Sequence, residues 1–440
     1  MVSQCFNFVT EFYLLEIETF MNTFTKKVCS NLVHMRLILW AIALWAGCLQ
    51  ANAQTIRYVK PGGTGSGNGS WNNASSNLQG MINASDEQDQ VWVAAGEYQP
   101  ASGQSFSMKE GVKIYGGFVG NETALIQRNI SPDKYKSILR GNNSRVISNN
   151  ENDLTTAALL DGFTVTGGSN ADGAGMYNLN VSPTISNCIF IQNNTGNRQE
   201  GGGMYNRGSS PVIYNSVFKN NFAWYGGAIS CTDNSAPKFY NCLLLNNTGN
   251  QGAGVYCYSE TFPEFTNCTL DNNVSDSGMG GIYISQTGRP SFKNSIIYDT
   301  NTRLDLINTD PTIRLNCLLD QDPVFVDRSN AAGADNIFGT SDDGLNLQST
   351  SPARNAGNVA YLTDVNRLVD FGKNPRIIDQ NVDIGAYEYY EPADIHIRYV
   401  KQDATGNGYT WTTASGDLQA MINESQSGNE IWVAAGTYKP

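Results

Sequence analysis

The chain has 440 residues, including 44 Gly and 21 Tyr, with 15% charged residues and a formal net charge of −12. That charge argues against nucleic acid or an anionic membrane surface as a partner. Low charge with abundant Gly suits short strands and tight turns rather than long surface helices, and the length allows a large core.

At the N-terminus, Met35-Arg36 opens a charged region and residues 37–49 (LILWAIALWAGCL) are apolar. Ala51-Asn52-Ala53 is an A-x-A cleavage site before Gln54, so residues 35–53 read as a signal peptide. Residues 1–34 have no role in such a signal and read as an extension called from too early a start codon, with a genuine extension as the alternative. Lipid attachment at Cys48 is disfavoured because Trp45 stands where such signals have Leu. No other stretch is long enough to span a bilayer as a helix. Residues 54–100 hold a strand IRYVK (56–60), a Gly-rich loop, the anchor Trp71, a short helix expected from Ser75 with Leu78, Met81 and Ile82 on one side, and a strand VWVAAGEY (91–98). This segment reads as the N-terminal cap of the coils from residue 101 onward.

Residues 101–320 are repetitive. Loose coils appear at VKIYGGF (112–118), SILRG (137–141) and LLDGFTVTGG (159–168). Six copies of one phrase come next, beginning at Pro183, Pro211, Pro237, Pro263, Pro290 and Pro311. Their spacings are 28, 26, 26, 27 and 21 residues, the period of a stacked solenoid. Two residues after each Pro comes Ile185, Ile213, Phe239, Phe265, Phe292 or Ile313, placed inside by alternation. Then comes Asn187, Asn215, Asn241, Asn267, Asn294 or Asn316, expected to bond its neighbours in the coils above and below. A small column is next: Cys188, Ser216, Cys242, Cys268, Ser295 and Cys317. Because Cys exchanges with Ser, these thiols read as free and buried rather than paired. Phe190, Phe218, Leu244, Leu270 and Ile297 are again apolar and inward.

A second phrase, GAGMYN (173–178), GGGMYN (201–206), GGAISC (226–231), GAGVYC (252–257) and GGIYI (280–284), fills the other half of each coil. Met176, Met204, Ile229, Val255 and Ile282 point in. Tyr177, Tyr205, Ser230, Tyr256 and Tyr283 then point out, an expected exposed ladder with coils about 4.8 Å apart. No stretch of the coils has helical periodicity. The expected fold is all-β, a right-handed parallel β-helix with a short N-terminal capping helix. Residues 321–390 form a separate C-terminal module. Residues 391–440 hold a linker and a repeat of the 54–100 cassette (IRYVK, Trp411, LQ, MIN, WVAAG), read as the start of a second β-helix unit in a longer protein.

The coils resemble secreted bacterial β-helix proteins of the pectate-lyase-like superfamily. GGAI (226–229) and the F-x-x-N patterns at Phe190–Asn193 and Phe218–Asn221 resemble repeats of chlamydial polymorphic outer-membrane proteins. The SPA…NAG (351–357) and DIGAYEY (383–389) signatures resemble the choice-of-anchor Q module. The resemblance implies a secreted or outer-membrane-associated protein of a Bacteroidetes-like bacterium, of a kind that often ends in a type IX sorting domain or an anchor. It is specific for architecture and says little of activity.

For chemistry, the only histidines are His34 and His396, which excludes a Ser-His-Asp triad and a His-rich zinc site within these residues. Asp172 and Glu200 each precede a Gly cluster in neighbouring coils and could act as paired carboxylates of a glycoside hydrolase. The bland account is two solvated turn residues. A lyase needs acidic Ca²⁺ ligands beside a base; Arg207 and Arg289 lie in turns without stacked Asp. Asp335, Asp342 and Asp343 offer Ca²⁺ ligands in a loop rich in Asp and Gly, although such a loop also forms ordinary turns. No other cofactor is expected. The tyrosine ladder Tyr177, Tyr205, Tyr256 and Tyr283, with Trp224 and Tyr225, offers flat faces with polar handles suited to sugar rings. The bland account is sheet stabilisation by stacked rings. The reading is an adhesion or glycan-binding scaffold for a cell-surface or extracellular polysaccharide or protein ligand. The alternative is a polysaccharide lyase or hydrolase on the same coils.

Overall fold

The computed structural model describes residues 54–128, 136–285, 287–299, 314–363, 369–378, 380–390, 397–408, 411–425 and 430–438. The extension, the leader, His34, His396, Cys5, Cys29, Cys48 and the Pro311–Ile313 start of the sixth copy lie outside these residues.

The repeats form parallel sheets that run the length of the coil stack. Sheet A has ten strands, from Ile56–Val59 to Arg314–Leu315; sheet B has nine, from Gly96–Tyr98 to Leu318–Leu319. Sheet C has six, from Ile147–Asn150 to Ile282–Ser285, and a three-stranded sheet D (Phe222–Tyr225, Thr248–Gln251, Val274–Met279) flanks it. Successive coils stack strand on strand within each sheet, and the register holds phrase on phrase: Ile185 pairs with Ile213, Ile213 with Phe239, and Phe239 with Phe265. The expected right-handed parallel β-helix is the fold observed.

The inward columns are those the alternation predicts. Ile185, Ile213, Phe239, Phe265, Phe292, Phe190, Phe218, Met176, Met204 and Val255 are fully buried. The rings stack from coil to coil, Phe190 on Phe218 at 4.8 Å and Phe239 on Phe265 at 4.6 Å. Cys188, Cys231, Cys242, Cys257 and Cys268 are buried free thiols and Cys317 is a half-buried one. The small column also satisfies buried backbone. Ser216 Oγ accepts the N–H of Cys188 at 3.2 Å, and Ser295 Oγ accepts that of Cys268 at 3.1 Å. Burial pushes the Cys188 thiol up to about 12, so it stays protonated and unreactive.

The Asn after each Pro does something other than form a continuous ladder. Asn187, Asn215, Asn241, Asn267, Asn294 and Asn316 all have φ between 44° and 53°. They make the corner between sheets A and B in the left-handed conformation that Asn tolerates and most L-residues do not. Along this column the amide bond between stacked Asn side chains is Asn241 Nδ2 to Asn215 Oδ1. The continuous ladder lies at the end of the F-x-x-N pattern. Asn193, Asn221, Asn247 and Asn273 are fully buried. Each donates Nδ2 to the next Oδ1 at 2.8–3.0 Å, and the last acceptor is Asp299. A second, shorter ladder joins Asn149, Asn178 and Asn206 at 3.0 Å per step.

Asp299 ends its ladder by accepting both the N–H and Nδ2 of Asn273, and burial raises its pKa to about 7. A carboxyl raised in the fold binds a proton there that the unfolded chain has already lost, so stability falls as pH rises from about 4 to about 7. Between pH 5 and 8 this residue should cost about 2–3 kcal/mol. Urea midpoints at the two pH values should therefore differ more in the natural protein than in Asp299→Asn, whose amide does not titrate. Equal pH dependence in both would refute this assignment.

At the N-terminal end a helix, α1 (Leu78–Ala84), buries Leu78 and Ile82. It starts three residues later than expected, because Ser75 is held in a bridge to Val59 and the capping side chain is Asn77, which accepts the N–H of Gly80 at 2.8 Å. Trp92 stacks on Phe118 of the next strand at 4.6 Å, with Trp71 beside it at 5.5 Å. The repeated cassette has the same internal geometry: Tyr399 lies 5.0 Å from Trp411 and 5.8 Å from Trp432, as Tyr58 lies 5.0 Å from Trp71 and 5.8 Å from Trp92. Its Trp411 and Trp432 are each 45% exposed, where Trp71 and Trp92 are buried. In the first cassette Phe118 of a third strand covers both rings, and among the described residues the second cassette has two strands, Ile397–Val400 and Glu430–Val433.

Residues 321–390 fold back along sheet B. The outward side chains of that sheet, Val217, Leu243, Thr269 and Ile296, are buried. Val217, Leu243 and Ile296 form one apolar cluster with Phe325, Leu345, Leu347, Phe371, Ile384 and Tyr387 of the module. The module also reaches the corner asparagines: Asn241 Nδ2 donates to Val369 O, and Asn294 Nδ2 to Asn358 O. Among the described residues no helix is long and apolar enough to cross a membrane.

Candidate functional site

Sheet C carries the tyrosine row. Its outward row is in register: Tyr177 pairs with Tyr205, Tyr205 with Ser230, Ser230 with Tyr256, and Tyr256 with Tyr283. Each strand is entered through a Gly turn. At Gly226 φ is +69°, and a Cβ there would meet Ile229 O at 2.3 Å, so this turn admits no side chain.

The row is less open than an exposed ladder. Tyr205 and Tyr256 are each 7% exposed and Ser230 is fully buried, while Tyr177 and Tyr283 are half-buried. Neighbouring rings cover one another: Tyr177 and Tyr205 are 5.5 Å apart and tilted by 45°, and Tyr256 and Tyr283 are 5.5 Å apart and nearly parallel at 6°. The Tyr205 hydroxyl is hydrogen-bonded to Thr232 Oγ1 at 3.0 Å.

Ser230 leaves a notch in the row, and Glu200 fills it. Ser230 Oγ donates to Glu200 Oε2 at 2.7 Å. The turn before it is tied down by Asp172, whose Oδ1 accepts the N–H of Glu200 at 2.8 Å. The Asp172 carboxylate therefore holds the Glu200 backbone, while the Glu200 side chain reaches Ser230 of the next coil. Burial raises the Glu200 pKa; the Ser230 bond opposes the shift, and the charges of Asp172 and Asp233 add to it. Arg207, at a strand end rather than in a turn, pairs with Asp233 at 2.7 Å, and both side chains are about half exposed.

Tyr225 joins the row from sheet D, its ring 5.1 Å from Tyr256. Trp224 is half-buried on the same strand, and among the described residues no ring contact links it to the row. Two members were missed in the sequence. Tyr258 is 38% exposed and lies parallel to Tyr256 at 6.3 Å. The Tyr256-Cys257-Tyr258 alternation carried that signal. Arg145 places its guanidinium 4.1 Å from the Tyr177 ring centre. Nothing local announced it, because its coil precedes the repeats.

Asp335, Asp342 and Asp343 do not converge. Asp335 Oδ1 accepts the N–H of Ile337, Asp342 Oδ2 those of Ala334 and Asp335, and Asp343 Oδ2 accepts Gly339 N–H and the Tyr387 hydroxyl. The carboxylates serve as anchors of their own loop. Among the described residues no three His, Cys, Asp or Glu side chains gather as a metal site.

Residues 110–276 match the family model of the right-handed beta helix region. A solved structure similar to this chain is the crystal structure of pectate lyase Pel9A, at 12% identity over 77% of this chain and 98% of that one, with a TM-score of 0.40. A search of curated proteins returned no match. The strand order, the coil register and the family match agree on the architecture, and the chain is a right-handed parallel β-helix.

Proposed function

We propose that the protein is exported to the bacterial surface and contacts an extracellular polysaccharide through the tyrosine face of sheet C. The leader-like residues 35–53 and the choice-of-anchor Q signatures in 321–390 support export. The observation that carries the binding reading is the row itself: its tyrosines, with Tyr258 as the exposed member, flank Glu200 at the Ser230 notch, with Asp172 on the same turn. Aromatic rings take the apolar faces of sugars, Glu200 and Asp172 accept hydroxyl hydrogen bonds, and the rigid parallel sheet holds the spacing.

A glycan array probed with the purified protein tests this. A bound glycan should lose about tenfold in affinity, roughly 1.4 kcal/mol, on Tyr258→Ala, with the denaturation midpoint unchanged. The buried Tyr205→Ala and Tyr256→Ala should lose both binding and stability. Absence of glycan binding by the natural protein overturns the reading, and capture of a protein ligand at the same tyrosines redirects it to protein adhesion.

A second reading rests on the same turn. Asp172 and Glu200 adjoin, and burial favours a protonated Glu200, the state a general acid requires. Release of reducing ends or unsaturated products from acidic polysaccharides, abolished by Glu200→Gln, would establish an enzyme in place of a binding scaffold.

A further inference from the structure

Glu200 stands among three tyrosines at the Ser230 notch. Its backbone bridges to Tyr225 of the next coil, where Gly201 N–H donates to Tyr225 O at 2.9 Å. Its side chain accepts Ser230 Oγ at 2.7 Å, and Ser230 pairs with Tyr205 on one side and Tyr256 on the other. The turn lies against the first of these: a Cβ at Gly201 would come within 2.7 Å of Tyr205 Cβ. The Tyr225 ring lies 5.1 Å from that of Tyr256. Burial and then the Glu200 charge raise the hydroxyl pKa of both Tyr205 and Tyr256, so both rings are close enough to sense the carboxylate.

The carboxylate has capacity for a cation. Ser230 takes one site on Oε2, while Oε1 accepts no hydrogen bond among the described residues, and Glu200 is half-buried rather than sealed. Among the described residues no Lys or Arg lies at ion-pair distance from it. Arg207, whose charge reaches Glu200, is held by Asp233 at 2.7 Å. Arg145, whose charge is felt with that of Asp172, lies over the Tyr177 ring at 4.1 Å. Three acids, Asp172, Glu200 and Asp233, thus face two arginines that are already engaged. A half-buried carboxylate without a cation bears a desolvation cost that an arriving ammonium offsets, and the electron-rich faces of tyrosine rings attract the same charge.

We infer that the sheet C face selects an amino sugar, a glycan residue with a free protonated amine, whose ammonium sits at Glu200 among Tyr205, Tyr225 and Tyr256. The inference rests on the glycan-binding reading above and gives that site its chemical class. Hydrogen bonds between an ammonium and a carboxylate are roughly twice as strong as neutral ones, so the amine rather than the sugar hydroxyls sets the preference. An N-acetylated sugar has no charge to offer and brings an acetyl group to the place of the ammonium. A uronic acid brings a like charge to Glu200 and Asp172 and is rejected.

Calorimetric titration of the purified protein with short oligomers of glucosamine, N-acetylglucosamine and a uronic acid, at a pH that keeps the amines protonated, tests the inference. The glucosamine oligomer should bind about tenfold or more tightly than either of the others. Glu200→Gln, which keeps an acceptor for Ser230, should abolish that preference. Tyr225→Leu should weaken the glucosamine oligomer roughly threefold or more, and Tyr225→Phe, which keeps the ring face, should recover most of the loss. Unchanged denaturation midpoints would show that the variants remain folded; if Glu200→Gln does not fold, the two Tyr225 variants carry the test. Equal affinity for the acetylated or the uronic acid oligomer overturns the inference and leaves the glycan-binding reading standing, as does a folded Glu200→Gln that keeps the preference. Binding of some other glycan on the array with none of these three has the same meaning. If no glycan binds at all, both readings fall.

Discussion

Replacing Asn247 by Ala should destabilise the fold by about 4 kcal/mol, far more than an average core polar substitution. The side chain makes four hydrogen bonds inside the coil. Its Oδ1 accepts both the N–H and Nδ2 of Asn221 at 3.0 Å, and its Nδ2 donates to Phe218 O at 2.9 Å and Asn273 Oδ1 at 2.8 Å. Truncation leaves the Asn221 donors and Phe218 O buried without those partners, each at a cost of about 1–3 kcal/mol before relaxation. Asn247→Asp keeps the acceptor but places a carboxylate against two oxygens, so it should be no better. At Asn215 the expected cost of Ala is only about 1–2 kcal/mol, because what is lost there is mainly tolerance of a left-handed φ of 44°. Asn215→Gly should recover most of it, since Gly adopts that conformation freely. Urea denaturation of the four variants decides the matter. If Asn247→Ala costs no more than Asn215→Ala, the ladder does not have the role assigned to it.

Arg376→Met should be comparably damaging, at about 3–5 kcal/mol, but its effect should fall on the module. Arg376 is fully buried. It pairs with Glu388 at 2.8 Å, donates to the carbonyls of Gly385 and Ala386, and reaches across to Asn241 Oδ1 of a coil corner at 2.8 Å. Removing it leaves Glu388 charged or proton-hungry in a buried site and removes one tie between module and solenoid. Limited proteolysis should cut within 321–390 while the coils resist. Adding Glu388→Gln should recover part of the loss, because the unpaired charge goes too. A variant within about 1 kcal/mol of the natural protein, with unaltered proteolysis, would show that the apolar cluster around Leu243 and Phe371 docks the module alone.

The contrast between the two asparagine columns shows how far the sequence could be read. Both columns recur at the coil period, but from the sequence stacking is expected of the Asn after each Pro, and the F-x-x-N column stands out only as a family pattern. Which one bonds along the axis depends on whether the side chain points into the coil or serves a corner, and that depends on a backbone torsion. The tyrosine row was legible in the same way, down to its gap at Ser230. Its partial closure was not, because Glu200 and Tyr225 come to it from other elements of the coil. Tyr258 could have been found by carrying the alternation two residues further.

Period, inward columns and the free thiols follow from the chain alone, because each coil repeats the same local rules and stacks on its neighbour. The outward face of sheet B is the opposite case. Val217, Leu243 and Ile296 are apolar at positions where alternation predicts solvent, and nothing within a coil explains them. They are buried because a segment from 321 onward returns across them. Contacts between segments tens of residues apart in the chain leave no period to read. Only the tertiary structure showed that this face is covered, and that the tyrosine row of sheet C is partly closed by Glu200 and Tyr225.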